Sequence, residues 1–136
     1  MNRSWNSGDV VEGFKRGPIT ADILKAYAKA SRDTNPIHWD RAFAQSAGFD
    51  RLIAHGMLSM AFLGDCVRKN FPRKSYHIKR LKARFRKVVF EGDTLAVAAI
   101  IKKASGDGIS MSLTVHNQND ELVTDGEATV VETCSE

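Results

Sequence analysis

Gly56-Met57-Leu58-Ser59-Met60-Ala61-Phe62-Leu63-Gly64-Asp65 decides how this chain folds. The run reads as a helix continuing to about Asn70, stopped by Phe71-Pro72, yet almost no polar face interrupts its first half before Asp65. A helix apolar on nearly every side must be wrapped on most sides; its second half, with Asp65, Arg68 and Lys69, emerges into solvent. The chain beyond Pro72 reads as strand. Leu81, Ala83 and Phe85 alternate with basic residues, and Ile78 has the opposite parity, which predicts a bulge or a late strand start. Glu91-Gly92-Asp93 turns the chain into an apolar strand over Thr94 to Lys102, and Ser105-Gly106-Asp107-Gly108 is a tight hairpin turn. Ile109, Met111, Leu113 and Val115 then alternate with polar partners, and Leu122 to Glu132 closes the sheet after a turn at Asn117 to Asp120.

Ahead of the apolar helix, Val10 to Phe14 reads as a short strand. Thr20 caps an amphipathic helix over Ala21 to Ser31, with Ile23, Leu24, Tyr27 and Ala28 on one face. Residues 32–39 form a loop, Arg41 to Ala47 a short helix stopped by Gly48, and 49–54 a connection. One apolar helix leading into an antiparallel meander implies an α+β domain, a curved sheet wrapped about a long central helix, over all 136 residues.

Composition excludes several function classes. The apolar fraction of 43% and charged fraction of 26% are ordinary for a globular domain. Cys66 and Cys134 have no zinc-ligand spacing and are too few for a disulfide framework, which predicts a reducing compartment. The N-terminus has no apolar signal-peptide core and no run is long enough to span a membrane, so a cytoplasmic protein is expected. The net charge of +4 is concentrated at Lys79, Arg80, Lys82, Arg84, Arg86 and Lys87. That segment is a solvated outer face or a binding patch for an anionic partner, such as a phosphate-bearing small molecule or an acidic protein. Without interleaved aromatics it does not point to nucleic acid.

Chemistry concentrates in Asp33-Thr34-Asn35-Pro36-Ile37-His38 and Ile53-Ala54-His55-Gly56-Met57-Leu58. Asp33 and His38 are five residues apart, about 140° of rotation on a helix and opposite faces on a strand, so neither regular element lets them cooperate. Pro36 forces a bend by fixing its own φ and excluding Asn35 from the α region. A bend can aim a carboxyl group and an imidazole at one point, as an acid–base pair requires. Asp-x-Asn-Pro alone is an ordinary turn; His38 and the His55-Gly56 helix start make it a candidate catalytic site. Amides at that helix start suit an oxygen gaining negative charge, and Gly56 lets a ligand approach the backbone closely. His55 either contacts the substrate or holds the helix start. No third ligand is placed by spacing beside His38 and His55, so no metal is expected, and nothing calls for a cofactor. Met57, in the apolar cluster, is a core residue with one edge available to an acyl chain.

Asp33-x-Asn35-Pro36-x-His38-x-Asp40, Ala47-Gly48-Phe49 and Ile53-Ala54-His55-Gly56-Met57-Leu58 together resemble the motif of the MaoC-like (R)-specific enoyl-CoA hydratases and the related acyl-carrier-protein dehydratases. Arg84-Phe85-x-x-x-Val89-x-x-Gly92-Asp93-Thr94-Leu95 is similar to that family's next strand signature, with Val88 where proline is frequent. The resemblance implies a hot-dog fold, usually a homodimer, acting on acyl thioesters of coenzyme A or of acyl carrier protein. It implies that Asp33 and His38 act on one water, the imidazole aiding attack on C3 of a trans-2-enoyl thioester and the carboxyl group supplying a proton to C2. Asn35 would orient the pair, the Gly56 amide would hold the thioester oxygen, and His55, Met57 and Arg84 would contact substrate. Other expectations for this architecture are an acyl thioesterase and a non-catalytic acyl-thioester-binding subunit.

Overall fold

The computed structural model describes residues 4–133, so Cys134 lies outside the described residues. Strands β1 (Val10–Arg16), β2 (Tyr76–Phe85), β3 (Leu95–Ser105), β4 (Gly108–His116) and β5 (Leu122–Glu132) form one antiparallel sheet in the order β1-β3-β4-β5-β2. Helices α1 (Ala21–Ser31), α2 (Arg41–Ser46) and α3 (Gly56–Asn70), with a 3-10 turn at Pro36–His38, lie between β1 and β2 in the chain. Each element arises where the pattern predicts it. The strands extend by up to three residues beyond their predicted ends because ladder pairing carries on past the apolar alternation. The opposite parity of Ile78 is a bulge: β2 pairs in one register up to Ile78↔Val130 and in a shifted one from Arg80↔Thr129.

Helix α3 packs against every strand of the sheet. Leu58, Leu63, Cys66 and Val67 on one of its faces meet Leu95, Val97, Ala99, Met111, Leu113, Val115, Ala128 and Val130. Burying each of these larger aliphatic side chains stabilises the fold by roughly 2 kcal/mol. The sequence predicted enclosure on most sides, and one chain does not provide it. Met57 is 55% exposed and Ala61 is also exposed, because the sheet covers a single face of the helix.

Three backbone hydrogen bonds tie residues 52–54 to the rest of the chain. The Ile53 N–H donates to Ile37 O at 3.2 Å, the Ala54 N–H to Val89 O at 2.8 Å, and the Glu91 N–H to Leu52 O at 2.9 Å. The turn at Glu91-Gly92-Asp93, where Gly92 has φ +92°, is locked from inside. Buried Asp93 accepts from the Phe90 N–H and the Gln118 side chain, both at 2.9 Å. These ties fix where the chain enters α3.

At Gly126 a Cβ would stand 2.2 Å from Lys82 O on β2 and 3.0 Å from a Leu63 methyl, whereas at Gly64 on α3 the nearest atom, on Leu81, would be 3.8 Å away. Gly126→Ala is expected to destabilise by about 1–3 kcal/mol through overpacking. Gly64→Ala is expected to stabilise by up to about 1 kcal/mol through helix propensity. Urea denaturation of the two variants measures both signs.

Candidate active site

The bend at Pro36 does what the sequence predicts. Asn35 Oδ1 accepts from the Ile37 N–H at 3.1 Å and opens the 3-10 turn, which ends on His38. His38 Nε2 then lies 3.6 Å from Asp33 Oδ2. The imidazole is almost buried while the carboxyl group is half in solvent, with side-chain exposures of 11% and 48%. Nδ1 of His38 lies 2.7 Å from the carbonyl oxygen of Ile53. A carbonyl can only accept, so Nδ1 carries a proton and Nε2 faces Asp33. Sequence reasoning missed Ile53 because a backbone acceptor leaves no side-chain signature.

Asn35 meets Asp33 through its backbone. Its side chain is engaged in the turn, and it is its backbone N–H that donates to Asp33 Oδ1, at 3.2 Å. The Asn35 backbone amide therefore orients the carboxyl group directly, while its side chain holds the turn.

His55 occupies the N-cap of α3 without making a side-chain capping bond, so the amides at Gly56 and Met57 have no capping side chain. Its ring stacks on His38, with centroids 3.7 Å apart and planes inclined by 22°, and meets the Tyr27 ring edge-on at 4.9 Å. The residue is 3% exposed and both ring nitrogens lack a hydrogen-bond partner. Burial, and then the neighbouring His38, push its pKa below the usual histidine value, while Asp33 partly opposes this. The structure supplies the third ligand that spacing did not: ligand atoms of Asp33, His38 and His55 lie within 4.8 Å of one another. The two imidazoles are stacked in nearly parallel planes, so a single ion cannot lie along both lone pairs until one ring turns.

Asp33, His38, His55, Gly56 and Met57 line one cavity of about 360 Å³, together with Tyr27 and Ser31 of α1. The helical repeat places Tyr27 and Ser31 on one face, but nothing in their spacing pointed to chemistry. A second cavity of about 300 Å³ shares His55 and Gly56 and continues along Phe85, Arg86, Lys87 and Val88. Arg84 is not brought to the site. Ala83 packs on the core, so its neighbour in the strand faces the other side of the sheet, where Arg84 joins Lys82, Asp125 and Glu127. Phe85 returns to the inner face, its ring carbons 3.4 Å from where a Gly56 Cβ would be.

Residues 6–123 match the model of the MaoC like domain. The chain belongs to that family. It is 32% identical over 129 residues to the mitochondrial 3-hydroxyacyl-[acyl-carrier-protein] dehydratase of Arabidopsis thaliana, covering 91% of this chain and 75% of the relative. It is 32% identical over 109 residues to the (R)-specific enoyl-CoA hydratase of Aeromonas caviae, covering 79% and 81%. The unliganded R-hydratase PhaJ1 of Pseudomonas aeruginosa superposes with a TM-score of 0.86 at 29% identity, over 96% of this chain and 84% of that one. The A. caviae (R)-hydratase also gives 0.86, at 27% identity over 95% and 98%. The architecture is the hot-dog fold, and this MaoC-like chain is an enzyme of the hydro-lyase type.

Because His55 is held neutral in the fold, the unfolded chain takes up a proton there first as pH falls. Stability is therefore lost as pH drops through the unfolded value of 6.5, and the loss stops growing below the lowered folded value. The urea midpoint measured from pH 7.5 to 5 is expected to fall less steeply in His55→Gln than in the wild type.

Proposed function

We propose that this protein reversibly hydrates trans-2-enoyl thioesters to (R)-3-hydroxyacyl thioesters carried on coenzyme A, with Asp33 and His38 acting through one water. The supporting observation is the Asp33–His38 approach at 3.6 Å beside a glycine-started helix that lacks a capping side chain. In this reading His38 Nε2 accepts a proton from water as the water oxygen bonds to C3. The π electrons shift toward C2, which takes a proton from the Asp33 carboxyl group. Charge gathered on the thioester oxygen is met by the Gly56 amide at the positive end of α3. Return of the proton from His38 to Asp33 resets the pair. Asn35 contributes by holding the turn, and His55 and Met57 wall the cleft against the substrate.

A second reading keeps this chemistry on acyl carrier protein, and it is supported by the 32% identity to a relative named for that carrier. We also propose a homodimer, because the exposed apolar face of α3 at Met57 needs a cover that one chain lacks.

With crotonyl-CoA as substrate, loss of the enoyl absorbance is the expected signal. Asp33→Asn and His38→Ala should each lower kcat by about 100-fold or more while circular dichroism stays unchanged. Near-normal turnover in either variant removes that residue from the mechanism. Absence of turnover in the wild type with both butenoyl and hexenoyl thioesters, on either carrier, removes the reaction.

A further inference from the structure

Residues 31–35 are all exposed, so packing does not hold Asp33 in place, and the first buried residue after them is His38. Hydrogen bonds take that role. Three of them form a ladder with a step of two residues. Ser31 Oγ accepts from the Asp33 N–H at 3.3 Å, Asp33 Oδ1 from the Asn35 N–H at 3.2 Å, and Asn35 Oδ1 from the Ile37 N–H at 3.1 Å. Each rung is a short polar side chain closing on the amide two residues ahead. The last rung opens the 3-10 turn that carries His38, and the middle rung is the acid itself. From the far end the Trp39 indole N–H adds a brace, donating to Thr34 O at 3.2 Å. The ladder starts where α1 stops. Arg32 caps the helix in the left-handed region, with φ 61° and ψ 22°. A residue in that conformation turns the chain out of the helix, and the Ser31 hydroxyl meets the next N–H along, that of Asp33.

A carboxyl group free to turn about its last torsion presents either oxygen to the cleft. Here Oδ1 is occupied as an acceptor, which leaves Oδ2, 3.6 Å from His38 Nε2, to carry the acid proton. Resting on the hydratase reading, we infer that Ser31 is a positioning residue for this proton transfer. By holding the Asp33 N–H it sets the backbone from which the carboxyl group reaches toward His38. Ser31 lines the cavity that holds the pair, yet it takes no part in bond making. Its effect passes through Asp33.

Turnover of crotonyl-CoA separates this role from a merely structural one. Ser31→Ala is expected to lower kcat about 10-fold and to leave KM within about twofold of the wild type, because a misaimed carboxyl group slows chemistry and not binding. Ser31→Thr, whose Oγ1 can accept from the same amide, should keep most of the rate. In an Asp33→Asn background the Ser31→Ala effect should shrink below about twofold, since a residue acting through the carboxyl group then has nothing to aim. Alanine suits an exposed helix end, so the fold is expected to persist, and circular dichroism verifies it. Amide hydrogen exchange gives a reading that needs no turnover. The Asp33 N–H should exchange at least about threefold faster in Ser31→Ala than in the wild type or Ser31→Thr. A Ser31→Ala kcat within about twofold of the wild type, an undiminished loss in the Asp33→Asn background, or no recovery in Ser31→Thr overturns the inference. Failure of the hydratase reading shows separately, as absent wild-type turnover while the Asp33 amide still loses protection in Ser31→Ala.

Discussion

A single hydrogen bond, from His38 Nδ1 to the Ile53 carbonyl at 2.7 Å, holds the site together. It joins the turn built around Pro36 to the segment that feeds α3, two stretches the sequence separates by the whole of α2. It fixes the ring's tautomer, turns Nε2 toward Asp33, and places the imidazole where His55 can stack on it. The Ile53 carbonyl is itself immobilised, because the N–H of Ile53 is bonded to Ile37 and that of Ala54 to Val89. The acid–base geometry therefore depends on the link between the β2–β3 connection and the chain entering the helix, and not on Asp33 and His38 alone.

Much of the architecture was legible because apolar spacing carries it. The alternation at Ile109, Met111, Leu113 and Val115, the misfit parity of Ile78, and the Thr20 cap, whose Oγ1 accepts from the Ile23 N–H at 3.2 Å, all mark elements that formed as read. The bend at Pro36 was legible because proline restricts two residues at once. What stayed hidden depended on backbone groups and on which face of an element a residue occupies. For Arg84 the strand signature and the alternation of Leu81, Ala83 and Phe85 point to different faces, and β2 follows the alternation.

The central helix shows where a pattern is correct about chemistry and incomplete about geometry. Its first half is apolar on nearly every side, but the sheet reaches only the face bearing Leu58, Leu63 and Val67. The apolar surplus near Met57 and the uncapped amides at Gly56 occupy the same end of the helix. A tight enclosure of that end within one chain would have closed off the glycine that the proposed chemistry needs open.

The unequal exposure of the two acid–base partners has a consequence for the traffic of hydrogen. Asp33 is open to bulk solvent while His38 is nearly sealed beneath the stacked His55. A carboxyl group so placed exchanges with the medium between turnovers, whereas the sheltered imidazole does so slowly. On the proposed chemistry, the hydrogen acquired at C2 and the oxygen acquired at C3 have separate origins, one the surrounding solution and the other the molecule trapped in the cleft.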